Sequence, residues 1–528
     1  MILPIILSYN YLNNSSKKLD GLWAFYKFLD FAKKNDGYII GREIYFENPK
    51  KYNSTWDLNR QTLKMYDYEY PSIELLEKNK KFMISNEIEN YFEKKNITLD
   101  YLLKKNDVKL EKSLLESLAK IEEASKKKVD IIITWYPLYT IKKICKKKKI
   151  KLIYEEFSTF RKEWYNYTLG TISLNSKYLA QNDYKKYQLL NFSNKIILTR
   201  EELIIMFSYK KDVEQNLKYL KSKPIYEIGY ALGLNRDPYE IAYCRYQKDD
   251  VMQKLLNDKI VKKVLIRMHP QAVTKVSKKF NIDNSKSSRE FISKCDKMLI
   301  NVSNLGFESM LYGRKVVNLY NGFITSFGEE DDLNIFNDKV ISLEKLNFIV
   351  FALYTPLFKM FDYNYIKNIA KSHFSINEIY TQNQHHIFQY FHIDQNKLIG
   401  QSTEKRKYYL LKTIHKFSDR EIKKILNITY NDNEKKEKNN IIKEITILKE
   451  KYASIIQKNE TLEKEYLNIK YSNEELNNLV LEKEKNIEYL KRDLNILSKN
   501  YYNIINSKSW RYTQIIRNIS NIIRRKKQ

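Results

Sequence analysis

Residues 264–320 constrain the chain most, because they switch between strand and helix periodicity in a way few folds accommodate. VLIRMHP is an apolar, β-prone run that stops at His269-Pro270; MLINVS and KVVNLY are two more short apolar runs, separated by a glycine-bearing helical pattern. Strand, helix, strand, helix, strand predicts a parallel sheet, whose ligands lie beyond the carboxyl ends of the strands. His269, Ser303 and Glu308 fall at those ends.

The residue types there suit a nucleotide. Asn304-Leu305-Gly306 opens a helix directly after a strand, so its free N–H groups and positive dipole end face a phosphate. Gly306 allows close approach, and Glu308 in the first turn accepts hydrogen bonds from ribose hydroxyls. His269 donates to a phosphate oxygen, with Arg267 and Pro270 on either side of it. A lone His-Pro equally fits a loop-capping histidine.

Upstream the same alternation recurs. Residues 3–7 form an expected strand and 22–34 an amphipathic helix, followed by GYIIGREIYF. From Leu110 a helix to about 127, the strand VDIIITW, a helix over 138–147 and the strand KIKLIYEE make a second βαβ series. Residues 194–198 (NKIIL) are expected as another strand, and a charged run up to Pro224 marks a boundary. YEIGYAL then breaks at Gly233 and leaves Arg236 and Asp237 on a loop, where function concentrates in such folds. By fold analogy, two α/β halves facing a cleft resemble the GT-B arrangement, which would put the nucleotide on the C-terminal half and the acceptor on the N-terminal half.

IYEEFSTFRKEWYNYTLGTISLNS, ALGLNRDPYEI, VLIRMHP and LINVSNLGFESMLYGRKVVNLYNGF, in that order, resemble the bacterial capsule-polysaccharide Kdo transferases and related surface-polysaccharide glycosyltransferases over residues 130–325. The resemblance implies a retaining β-Kdo transferase that uses a nucleotide sugar, CMP-Kdo, without a further cofactor. It matches the family's paired glutamates to Glu155-Glu156, its loop aspartate to Asp237, its His-Pro to His269-Pro270, and its Ser and Glu to Ser303 and Glu308. Asp237 is then the nucleophile and Glu156 the proton shuttle, a division suited to carboxylates that form and release glycosyl esters. The chain departs from the family where Phe157-Ser158-Thr159-Phe160-Arg161 follows the glutamates and where no Gly-Leu-Thr follows Phe323. A teichoic-acid-type glycerophosphotransferase and a non-catalytic scaffold of the polysaccharide assembly complex are the alternatives.

Composition excludes other classes. With 528 residues and 43% hydrophobic content the chain holds two core-burying domains plus extensions. Cys145, Cys244 and Cys295 have no paired spacing, so neither disulfides nor a zinc site are expected. No metal is expected either: His373, His385, His386, His392 and His415 form no ligand set, and basic groups with a helix end can neutralise the leaving phosphate. The net charge of +30 invites a nucleic-acid reading, but no nucleic-acid module is present. MILPIILSYN lacks the basic start and cleavage site of a signal peptide, which predicts a cytoplasmic protein.

The C-terminal part differs in kind. From Ile445 a heptad runs through a positions Ile445, Tyr452, Asn459, Tyr466, Asn473, Val480, Ile487, Leu494 and Tyr501, with d positions Leu448, Ile455, Leu462, Ile469, Leu476, Lys483, Leu490, Leu497 and Ile504. It predicts a coiled coil about 90 Å long, most simply in a homodimer or small oligomer. Beyond it Trp510, Arg511, Arg517, Arg524 and Arg525 belong to a basic, isoleucine-rich tail of the interfacial-helix type, which predicts contact with the anionic inner face of the cytoplasmic membrane. The organisation expected is therefore 1–223 an N-terminal Rossmann-like acceptor-side domain, 224–375 a C-terminal Rossmann-like nucleotide-binding domain, 376–433 a helical region, 434–505 coiled coil and 506–528 the tail. Its partners are a nucleotide sugar and a glycan or glycolipid acceptor.

Overall fold

The computed structural model describes residues 1–8, 21–47, 76, 80–174, 185–233, 238–244, 246–257, 261–269, 276–301, 303–319, 329–330, 340–427, 483–484, 487–503, 513, 515–518 and 521. Asp237, Pro270, Trp510, Arg511, Arg524 and Arg525 lie outside them, as do most of the heptad positions. The chain divides into two units, Met1–Thr429 and Tyr430–Gln528.

Two sheets organise the first unit. One contains β1 (Ile2–Ile6), β2 (Tyr38–Arg42), β3 (Lys80–Ile84), β4 (Ile131–Thr134), β5 (Lys151–Phe157), β6 (Leu169–Leu174) and β13 (Tyr354–Pro356). Their order is β13-β6-β5-β4-β1-β2-β3, with β1 to β5 parallel and β6 and β13 antiparallel additions at one edge. The other contains β7 (Tyr226–Leu232), β8 (Val264–Met268), β9 (Asn281–Ile282), β10 (Cys295–Ile300), β11 (Lys315–Asn318) and β12 (Glu329–Glu330), all parallel, in the order β12-β11-β10-β7-β8-β9. Each sheet thus starts in its middle and winds outward both ways. That is the doubly wound order, and it creates one crevice per sheet where the winding reverses, between β1 and β4 and between β7 and β10.

Burial explains why these runs are strands. Every residue of β1, β2 and β4 is buried, as expected of central parallel strands covered on both faces by helices. The helix Leu22–Lys34 is apolar around most of its circumference and lies on the first sheet. Residues 194–198 differ from expectation: they are not a strand. Side chains take up their backbone groups instead of a neighbouring strand. Asn347 brackets Leu198 by accepting from its N–H (2.8 Å) and donating to its carbonyl (2.7 Å), while Gln384 and Arg406 donate to the carbonyls of Ile196 and Ile197.

The region after 341 is mainly helical, beginning before the 376–433 helical region expected, and it also returns to the first sheet. Tyr354–Pro356 pairs with β6, and Met360, Ile366 and Ala370 enter the first sheet's core. Conversely the helices Arg200–Phe207 and Val213–Lys221 pack in the same core as Phe291, Met298 and Phe307 of the second sheet's layers. The two halves therefore exchange segments, which ties them more closely than one linker would.

In the second unit residues 487–503 are helical. No helix among the described residues is long and apolar enough to cross a membrane.

Candidate functional site

The crevice of the second sheet opens between the ends of β7 and β10. β7 ends at Leu232, and four residues beyond Gly233 the chain resumes as the helix Pro238–Tyr243. β10 ends at Ile300 and continues through Asn301, Ser303 and Asn304 into the helix Leu305–Leu311. Polar side chains join the two ends. Asn301 Nδ2 donates to Glu240 Oε1 at 2.8 Å, Lys248 N–H to the same oxygen at 3.1 Å, and Tyr230 OH to Asn301 Oδ1 at 3.1 Å. Tyr230, Asn301 and Glu240 are all buried. Burial, then the charge of Glu240, pushes the Tyr230 phenol well above its ordinary value, so it stays a donor.

β8 borders β7 on its other side, which puts its end about 10 Å from that of β10, two strand spacings away. His269 stands exposed at that end. Arg267, half-buried, is engaged by Asp283 at 2.6 Å and donates to Ser285 O at 3.0 Å. At β10, Ser303 Oγ accepts from Leu305 N–H and Ser303 O from Gly306 N–H, both at 3.2 Å, so part of the first turn's donor capacity is satisfied locally. Gly306 is not sterically forced: a Cβ there would meet Ile300 at 3.5 Å and Asn318 at 3.8 Å, ordinary contacts.

Glu308 sits at the centre of a buried network. It accepts from Tyr165 OH and Ser288 Oγ, each at 2.7 Å, and pairs with Arg289 Nε at 3.2 Å. Arg289 also reaches the carbonyl of Trp164 and Asn216 Oδ1. Tyr165 and Trp164 belong to the segment that leaves β5, and Thr159 of that segment donates to Asn304 O at 3.2 Å. The first sheet's loop is thereby fastened to the helix on which Glu308 rides.

The paired glutamates at the end of β5 separate by strand alternation. Glu156 is exposed, with its Oε1 accepting from Phe157 N–H at 2.9 Å. Glu155 is fully buried, and neither of its oxygens has a hydrogen-bond partner. Burial raises its carboxyl well above the ordinary range. Among the described residues no three His, Cys, Asp or Glu gather as a metal site.

The structure thus brings Ser303, Asn304, Gly306 and Glu308 to one strand end and Arg267 and His269 to another, on either side of the strand that leads to Asp237. Sequence reasoning missed Tyr165, Ser288 and Arg289 around Glu308, and Tyr230 and Glu240 around Asn301. Asn301 lay inside a motif already singled out. Tyr165 had no local signal, since it meets Glu308 across 143 residues of chain.

Two doubly wound sheets in one unit, with polar groups gathered at the switch point of the second, make this a GT-B-like fold. Residues 8–175 match the model of the Glycosyltransferase 99 family N-terminal domain, which supports reading the chain as a glycosyltransferase. No curated protein matches it. Among solved structures it resembles the Thermosulfurimonas dismutans KpsC β-Kdo 2,7 transferase at 13% identity and TM-score 0.30, covering 46% of this chain and 82% of that one. Anabaena HepE in complex with UDP and glucose is 12% identical with TM-score 0.22, over 74% and 98% of the two chains. The Methanocaldococcus jannaschii UDP-GlcNAc 2-epimerase is 11% identical with TM-score 0.24, over 60% and 84%. At such scores none of the three bears on what this chain binds.

Proposed function

We propose that the chain transfers Kdo from CMP-Kdo, with retention of configuration, to a growing capsular or related surface glycan. Asp237 attacks the anomeric carbon as CMP departs, forming a glycosyl ester. Glu156 then takes the proton of the acceptor hydroxyl, whose oxygen attacks the anomeric carbon, breaks its bond to Asp237 and frees the carboxylate. His269 with Arg267 and Pro270 faces the phosphate from β8, and Ser303, Asn304 and Gly306 face it from β10. Glu308 Oε2, which accepts one bond from Ser288, offers its second acceptor site to a ribose hydroxyl.

The observation that carries this reading is the second sheet's crevice, whose two flanking strand ends hold His269 and Ser303 on either side of the strand leading to Asp237. The exposure of Glu156 supports it as the shuttle, because an acceptor hydroxyl must reach it. The test is incubation with CMP-Kdo and a panel of other nucleotide sugars, following released nucleotide and extended acceptor. Failure to bind any of them at high micromolar concentration defeats the reading, and an inverted anomeric product defeats the double displacement.

The arm serves placement in this proposal. Residues 434–505 form a coiled coil that pairs two copies, and 506–528 hold them on the anionic inner face of the cytoplasmic membrane, where a lipid-linked acceptor is confined. Support comes from the helix 487–503, on which Ile487, Leu490, Leu494, Leu497 and Tyr501 share the a/d face and are all more than half exposed. Deleting 434–528 is expected to yield a monomer by light scattering, and deleting 507–528 to abolish co-sedimentation with anionic liposomes at low salt. A dimer surviving the first deletion breaks this account.

A further inference from the structure

The helix Pro238–Tyr243 is gripped from two sides. Toward the first sheet, Lys104 Nζ donates to Ile241 O at 3.0 Å, Tyr243 OH donates to Leu103 O at 3.3 Å, and Ala242 is buried in that sheet's core. Toward the second sheet Glu240 makes the link. Its Oε1 accepts from Asn301 Nδ2 and from Lys248 N–H, and a Cβ on Gly233 would lie only 3.6 Å from its Oε2, so the carboxylate sits against the end of β7. Asn301 is in turn held by Tyr230 from within β7. Glu240 is 4% exposed.

We infer that Glu240 is a positioning residue for transfer: through Asn301 it fixes the strand end that leads to Ser303 and Asn304 relative to the helix whose first residue, Pro238, follows Asp237. The inference rests on the nucleotide-sugar reading of this crevice and adds what sets the spacing between its two halves. A buried carboxylate is costly unless hydrogen-bonded, and an apolar residue would pack this interior position more cheaply. What an apolar residue lacks is a directional link between two strand ends. Misplacement of reacting groups by about 1 Å costs on the order of a hundredfold in rate, so such a link has a large functional effect.

The decisive variants differ in what they keep. Glu240→Gln retains an Oε1 acceptor for both Asn301 and Lys248 N–H and is expected to turn over within about threefold of the parent chain. Glu240→Ala removes the acceptor and is expected to lower kcat per folded molecule by about ten- to a hundredfold, with a smaller change in the KM for nucleotide sugar. Asn301→Ala should do the same, and the double variant should be no worse than either single one, because both changes break one link. Folded fraction is read by circular dichroism and thermal melting; should Glu240→Ala not fold, Glu240→Asp, which keeps the charge on a shorter arm, is expected to lose at least about fivefold in kcat.

Turnover and binding are measured on the full chain with CMP-Kdo and with UDP-sugars, using CMP and UDP as binding probes. An active parent chain whose Glu240→Ala form keeps its kcat per folded molecule overturns this inference alone, as does a double variant whose loss is the product of the single ones. A parent chain that neither turns over nor binds any of these compounds overturns the transferase reading and this inference with it.

Discussion

The two sheets share a winding order but not what lies at its reversal. Near the first sheet's reversal the described residues put aromatic rings together: Trp23 stacks on Phe157 with centroids 4.5 Å apart, Trp135 meets Trp23 edge-on at 4.7 Å, and Tyr136 lies against Gly21. In the second the corresponding crevice holds Tyr230, Asn301 and Glu240, hydrogen-bonded and flanked by an exposed histidine. Topology alone nominates both as ligand sites. Chemistry distinguishes them, because an apolar plug stabilises by burial whereas a polar crevice is retained at a cost to stability. In the proposed mechanism the first sheet contributes elsewhere, through the exposed Glu156 on the end of β5.

Substitutions can break or sharpen that contrast. The largest effect is expected in the second crevice's activity: Asp237→Ala should lower kcat by about a thousandfold or more while leaving CMP affinity, measured by calorimetry, nearly unchanged. A rate within tenfold of the parent would remove Asp237 from the chemistry. In the first crevice the effect should fall on stability. Gly21 has φ +78°, and a Cβ there would come within 2.7 Å of Tyr136 OH and 2.8 Å of its ring, so Gly21→Ala is expected to cost about 2 kcal/mol or more in denaturant unfolding. A neutral Gly21→Ala would mean that the plug is loose.

Glu155 predicts a pH signature on the same side. Its folded-state pKa is raised by burial, so the unfolded chain ionises first, near the ordinary 4.5, and stability is lost as pH rises above that value until the folded carboxyl ionises too. Relative to Glu155→Gln, the parent chain should lose up to about 1.4 kcal/mol per pH unit across this window. Parallel stability curves from pH 4 to 7 would show that Glu155 does not carry the burial penalty. The smallest effect is expected at Gly306→Ala, where added methyl contacts are ordinary and helix propensity gains: unfolding free energy should stay within about 1 kcal/mol. Nucleotide binding should nevertheless weaken severalfold. Unchanged binding would move the phosphate away from this helix.

Much of this was legible in the sequence, and the reason is periodicity. Strands β5, β7, β8 and β10 and the helix Leu22–Lys34 follow from local apolar patterns, because one period selects a pleated strand and the other a helix. NKIIL had the same local look and failed as a strand, since strand identity needs a neighbour and here Asn347, Gln384 and Arg406 supply the partners instead. Glu155 and Glu156 were legible as a pair, and alternation alone sends them to opposite faces. Which face is sealed depends on helices that arrive from residues 22–34 and 357–370.

By itself, then, the sequence determined the alternating strands and helices, the order of the motifs and the candidate residues at strand ends, all properties of neighbours along the chain. Tertiary structure decided which crevice is plugged and which is polar, that Glu308 is held by Tyr165, Ser288 and Arg289, and that Glu240 joins two strand ends through Asn301. Those outcomes depend on side chains separated by 19 to 143 residues, or 61 for Glu240 and Asn301. Local propensity carries no term for such contacts, because their energy appears only when desolvated groups meet across the fold.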